Sequence, residues 1–171
     1  MQGFSTERLN VTNWADALSQ PERRTEIERD LTAILTEPVL RHLPEPLALA
    51  DKPDAVSSWV SDRAAESDVF LIEVRGGGLI GLLLLAPGEV AVSGDDQHLG
   101  YLLAEAAWGK GYATELVRGL VDALSKFETA RLMGGVGTDN PASAHVLKKC
   151  GFTRSEEMST RETAIYVRQL G

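Results

Sequence analysis

His98–Leu124 reads HLGYLLAEAAWGKGYATELVRGLVDAL, and this stretch decides the fold. His98 to Leu103 (HLGYLL) reads as a strand. Ala113, Leu116, Val117, Leu120, Val121, Leu124 and Phe127 then fall at i, i+3, i+4, i+7, i+8, i+11 and i+14, the apolar face of a helix. Between strand and helix lies WGKGYAT, Trp108 to Thr114. Gly109 and Gly111 let backbone N–H groups turn toward one point. The helix start presents its positive dipole end and unsatisfied N–H groups at the same place. No Asp, Ser, Thr or Asn stands there as an N-cap, so the pattern favours a bound anion in that role. This reads as a phosphate cradle, to which Lys110 adds charge; the alternative is a plain strand-to-helix turn.

Outward toward the N-terminus, Leu79 to Ala86 (LIGLLLLA) is a strand joined through Arg75 to Gly78 (RGGG) to another, Val69 to Val74 (VFLIEV). The pair is a hairpin. Gly76, Gly78 and Gly81 satisfy G-x-G-x-x-G, but a dinucleotide loop needs a helix after it, and a hairpin turn is the better reading. Pro87 to Gln97 is a loop ending in Gly94, Asp95 and Asp96. Earlier still, Glu7 to Trp14 reads as a first strand. Ser19, Gln20 and Pro21 open a helix that carries Ile27, Leu31, Ile34 and Leu35. Pro38, Pro44 and Pro46 make a loop, and a second helix opens near Pro53 with Val56, Trp59 and Val60 on one face.

Toward the C-terminus, Arg131 to Val136 is a strand. Asn140 and Pro141 are an N-cap and first helical residue, and Gly151 closes that helix. Ser143 sits one turn in, near the mouth of any site at that helix start. Phe152 to Glu157 and Thr163 to Leu170 read as final strands. The order β-α-α-β-β-β-α-β-α-β-β gives a mixed α/β domain, taken as one domain over residues 1–171.

Composition agrees with one ordinary core: 171 residues, 43 % hydrophobic and 25 % charged. The net charge of −8 argues against a general nucleic-acid or anionic-membrane binder and leaves room for a basic acceptor such as an amine. The lone Cys150 excludes an internal disulfide framework. His42, His98 and His145 match no zinc spacing, so no metal is expected. Met1 to Leu9 lacks an apolar run, and the run Leu82 to Ala86 is too short to span a bilayer, so the expected compartment is the cytoplasm.

Together these pieces resemble the GNAT superfamily of acetyl-CoA-dependent N-acetyltransferases, and more narrowly its RimJ/RimL branch. The matching segments are TERLNV (Thr6 to Val11), GLIGLLLL (Gly78 to Leu85), HLGYLL before WGKGYATE (His98 to Glu115), and N-P-A-S with C-G-F (Asn140 to Phe152). The resemblance implies an α/β (α+β) fold with a central mixed, mostly antiparallel sheet of splayed strands flanked by helices. It implies acetyl-CoA as cosubstrate. The family's R/Q-x-x-G-x-G/A pyrophosphate loop falls on Trp108, Gly109, Lys110, Gly111, Tyr112 and Ala113, with Trp in place of Arg or Gln; Thr114 completes the cradle. Leu102, Leu103 and Ala104 would lie beside the pantetheine and thioester, with Asn140 hydrogen-bonding the pantetheine arm from the other side.

For catalysis, the resemblance is partial. The family's Tyr acid, seven residues after the Asn, is Leu147 here. Ser143 matches a Ser proposed in RimL-like enzymes to help the thiolate leave. Where a Glu base often precedes the strand, this sequence has His98. A neutral imidazole, with a reference pKa of about 6.5, takes a proton near neutrality. It suits an α-amine (about 8) better than a lysine (about 10.4). Asp96, Glu73 and Glu105 are the other candidate bases. His42 and Trp59 are candidates for the acceptor pocket, with core or surface as the plainer reading, and Cys150 reads as helix-end packing. The expected partner is an amine acceptor, a small molecule or a protein N-terminus. Dimers occur in the family, which leaves a homodimer open. The alternative function is a catalytically weak acetyl-CoA-binding sensor or interaction module, which the missing Tyr and Glu keep open.

Overall fold

The computed structural model describes residues 1–88, 96–126 and 131–170. They form two compact units, Met1–Leu84 with Tyr101–Lys110, and Leu85–Gly100 with Gly111–Gly171. The first holds β1 (Gly3–Ser5), β2 (Leu9–Asn13), α1 (Ala15–Leu18), α2 (Pro21–Ile34), α3 (Glu37–Leu40), α4 (Ala55–Glu66) and β3 (Asp68–Val74). The second holds α5 (Tyr112–Leu124), β6 (Arg131–Gly137), α6 (Pro141–Lys149), β7 (Thr153–Ser155) and β8 (Thr163–Gln169). Strands β4 (Leu79–Pro87) and β5 (Gln97–Leu103) each run through both. The strand order is β1-β2-β3-β4-β5-β6-β8-β7. Pairing is antiparallel in β1–β2, β2–β3, β6–β8 and β7–β8, and parallel in β5–β6. This is the mixed, mostly antiparallel sheet flanked by helices that the resemblance implies.

In the first unit, alternation sends Val69 and Leu71 of β3, Leu82 and Leu84 of β4 and Leu102 of β5 into one core. Ile27, Leu31 and Ile34 of α2 and Trp59 and Val60 of α4 complete it from the helix side. Each such buried side chain contributes about 1.5–3 kcal/mol of transfer free energy. Pro21 stands at the first position of α2, where its missing N–H costs nothing. Gly81 of β4 has no room for a side chain: a Cβ there would lie 2.1 Å from the Leu102 carbonyl oxygen. In the second unit, α5 buries Leu116, Val117, Leu120 and Val121, the expected face; Phe127 lies outside the described residues.

Several boundaries differ from the sequence reading. The strand expected over Glu7 to Trp14 is β2 and covers Leu9–Asn13, because Thr6 makes the turn that joins it to β1: Leu9 N–H donates to Thr6 Oγ1 at 3.0 Å. The three residues of β1 were too few to show a period. The helix expected near Pro53 starts at Ala55. The strand expected over Phe152 to Glu157 covers only Thr153–Ser155, after which Ser155 Oγ accepts the Met158 N–H and turns the chain. Gly94 and Asp95 of the loop before β5 lie outside the described residues.

Candidate functional site

The glycines of the WGKGYAT loop have the backbone that the sequence reading required. Gly109 (φ +70) and Gly111 (φ +81) are both left-handed. Gly111 is the N-cap of α5 and has no side chain with which to cap the first turn. Glu115 N–H is the first to close the helical ladder, on Gly111 at 3.1 Å. The Lys110 carbonyl accepts from Arg8 Nη1 at 3.0 Å, within the first unit. Trp108 is the one large apolar side chain exposed among the described residues (45 %), and its indole N–H donates to the Leu103 carbonyl at 2.8 Å.

Leu102 and Leu103 are buried at the end of β5, and Ala104 follows them. Ala104 N–H donates to the Ile80 carbonyl of β4 at 2.8 Å. Backbone groups of successive strand residues alternate edges, so the N–H and C=O of Leu103 face the edge away from β4. That edge pairs with β6 at the other end of the strand, where the register runs Gln97↔Leu132, His98↔Met133, Leu99↔Gly134. His98 is half-buried in that ladder. Gly134 lies against Leu99 and against Leu147 of α6, so Leu99 points to the face that α6 covers. His98, its neighbour, points to the opposite face. The structure therefore sends His98 and the α6 residues to different faces of β5–β6.

Asn140 is the N-cap of α6: its Oδ1 accepts the Ser143 N–H at 3.2 Å. That bond fixes the amide, because only the oxygen can accept, and the Nδ2 donors point elsewhere. Ser143 is half-buried in the first turn. Leu147, at the place of the family's Tyr, is buried against Gly134. Cys150 is 2 % exposed, with its sulfur 3.7 Å from the Thr114 carbonyl, and burial pushes its thiol pKa up. It packs at the helix end, as expected.

The carboxylates proposed as alternative bases are engaged elsewhere. Asp96 is 2 % exposed and takes three contacts from Arg131, Nε at 3.1 Å to each oxygen and Nη2 at 2.5 Å. Those hydrogen bonds hold its carboxyl below the usual range, with the charges of Arg131 and His98 adding to the effect. A carboxylate so held is a poor proton acceptor. Glu73 accepts from Arg23 at 2.6 Å, and Glu105 from Thr36 Oγ1 at 2.5 Å. Trp59 is core, its indole bonded to the Leu47 carbonyl at 2.9 Å. His42 and His145 are exposed. Among the described residues no His, Cys, Asp and Glu group is placed to hold a metal, and no helix is long and apolar enough to cross a membrane. Sequence reasoning missed Arg131 and Arg8, whose partners lie 35 and 102 residues away. Arg8 stands inside TERLNV, a segment read as part of a strand and as one of the segments of the family resemblance.

A model of the acetyltransferase (GNAT) domain matches residues 21–153. The chain belongs to this family, and is an acyl-CoA-dependent N-acetyltransferase. No curated protein sequence matches it. Among solved structures it is similar to a GNAT acetyltransferase from Bacillus anthracis, with 16 % identity over 98 % of each chain and a TM-score of 0.71. It is also similar to the ribosomal alpha-N-protein acetyltransferase RimL in complex with coenzyme A, with 15 % identity over 96 % of each chain and a TM-score of 0.71. A spermidine N-acetyltransferase from Vibrio cholerae, with CoA and spermine, gives 17 % identity over 95 % of each chain and a TM-score of 0.69. At these identities the likeness shows the fold.

Proposed function

We propose that the chain transfers an acetyl group from acetyl-CoA to a primary amine, either a protein α-amine or a small-molecule amine, by direct attack in a ternary complex. The observation that carries the donor is the start of α5. A helix of 13 residues opens on a left-handed glycine with no side-chain cap, after a second left-handed glycine. First-turn N–H groups at a positive dipole end fit a pyrophosphate. Gly109, Lys110, Gly111, Tyr112, Ala113 and Thr114 hold it in this reading, and Trp108 braces the loop against β5. Leu102, Leu103 and Ala104 lie along the pantetheine. The Leu103 carbonyl is taken by Trp108, so its N–H is the group that Leu103 offers. Asn140 meets the pantetheine through an Nδ2–H, since its oxygen is the cap.

Acetyl-CoA supplies an acyl carbon activated as a thioester. In this reading His98 acts from the strand face opposite α6, where, directly or through water, it takes the proton that the amine must lose before its lone pair can form the N–C bond. As the C–S bond breaks, the Ser143 hydroxyl gives a hydrogen bond or proton to the thiolate. Strand-edge amides polarise the carbonyl as charge develops on its oxygen. Trp108, in place of the Arg or Gln of the loop motif, supports a RimJ/RimL-like assignment. The match over residues 21–153 runs through both units, consistent with one working domain. The acidic net charge of −8 fits a cationic acceptor and a cytoplasmic protein that binds neither nucleic acid nor membrane.

The test is thiol release from acetyl-CoA with short free-N-terminus peptides, polyamines, aminoglycosides and amino acids as acceptors. Release with one class names the acceptor, and its loss in His98→Ala supports the base. Acetyl-CoA that raises the melting temperature without release for any acceptor favours the sensor or interaction module. Light scattering on the same sample decides whether the protein is a homodimer.

A further inference from the structure

We infer that Arg8, in the turn between β1 and β2, is a positioning residue for the pyrophosphate loop. The inference rests on the reading of that loop given above. Lys110 stands between two left-handed glycines, Gly109 and Gly111. Glycines widen the accessible backbone, so the peptide between Lys110 and Gly111 has little local reason to keep one orientation. Arg8 supplies that reason from outside: its Nη1 donates to the Lys110 carbonyl at 3.0 Å. In a trans peptide the C=O and the following N–H point in opposite directions. A Lys110 carbonyl drawn to Arg8 therefore turns the Gly111 N–H away from Arg8, as the first of the donors at the start of α5.

Arg8 is itself held. Its carbonyl accepts from the Arg75 N–H at 2.8 Å, and Arg75 Nε donates to the Thr6 carbonyl at 3.0 Å. Thr6 closes the turn twice, with its N–H on the Leu9 carbonyl at 2.9 Å and its Oγ1 on the Leu9 N–H at 3.0 Å. The β1–β2 turn and the turn after β3 thus form one frame, and the guanidinium reaches from it to the loop. A loop ordered before binding spares the ligand the cost of ordering it.

The experiment compares CoA with pantetheine, which lacks the pyrophosphate. Binding is measured by calorimetry for CoA and by NMR titration for pantetheine, on wild type, Arg8→Met and Arg8→Lys. Melting curves verify that each variant is folded. Arg8→Met is expected to weaken CoA about tenfold and to leave pantetheine within about twofold. Arg8→Lys, which keeps a charged donor without the planar fork, is expected to recover about a third of the loss and to leave the rest. Unchanged CoA affinity in a folded Arg8→Met overturns the inference. Equal losses for CoA and pantetheine also overturn it, because they mark a general deformation. If Arg8→Met does not fold, the same comparison on Arg8→Lys decides: a loss confined to CoA supports the role, and any other pattern overturns it. Wild type that fails to bind CoA removes the loop reading and this inference with it, an outcome the wild-type titration alone identifies.

Discussion

Replacing Asn140 by Asp separates the helix cap seen in the structure from the proposed hydrogen bond to pantetheine. As a cap, Asn140 uses Oδ1 to accept the Ser143 N–H at 3.2 Å. Asp keeps an acceptor in the same place, and Asn and Asp rank alike as caps. Asn140→Asp should therefore leave the melting temperature within about 1 °C of wild type, the equivalent of a few tenths of a kcal/mol. Asn140→Ala loses the acceptor and should cost about 1 kcal/mol, a fall of roughly 2–4 °C for a chain of this size. Toward CoA the expectation reverses. Asp has no N–H to give the pantetheine and brings a negative charge, so CoA affinity should fall about tenfold or more. Calorimetry with CoA and a thermal melt on each variant are sufficient. Undiminished CoA affinity in Asn140→Asp would reduce the residue to a cap. A destabilisation equal to that of Asn140→Ala would refute the cap itself.

Gly111→Val places a β-branched residue at φ +81 and should destabilise by about 1–2 kcal/mol, read in urea, with CoA affinity lost beyond that. Because Arg131 holds the Asp96 carboxyl below its unfolded value, the stability from that pair is complete above the unfolded pKa of about 3.9 and is lost as pH falls through the folded value. Asp96→Asn should accordingly flatten the acid limb of a stability-versus-pH curve; an unaltered limb refutes the pairing. Cys150, buried and with a raised thiol pKa, should react with a thiol reagent at least about tenfold more slowly in the folded protein than in denaturant. Matching rates in the two states would place the sulfur at the surface.

The strand–loop–helix from His98 to Leu124 and the cap at Asn140 were legible because their determinants are local. Two glycines, a helical period and an Asn-Pro pair each act within a few residues. The elements that escaped, β1, α1 and α3, have only three or four residues, too few to repeat the period that would reveal them. The pairing of the carboxylates was hidden for a different reason. Asp96 and Glu73 have the chemistry of bases, and each is bonded to an arginine 35 or 50 residues distant. No spacing rule reaches that far. The face of the strand that His98 takes could be read only once Leu99, Gly134 and Leu147 were placed together.

The exposure of Trp108 has a spectroscopic consequence. The chain contains three tryptophans, and Trp14 and Trp59 are sealed in the core at 2 % and 4 % exposure. An aqueous quencher such as iodide therefore reaches one fluorophore, which stands at the mouth of the glycine loop. The quenchable fraction of the tryptophan emission reports on that loop, against two rings that the quencher does not reach. The native protein carries its own optical probe for whatever approaches Gly109 and Gly111, with no dye and no substitution.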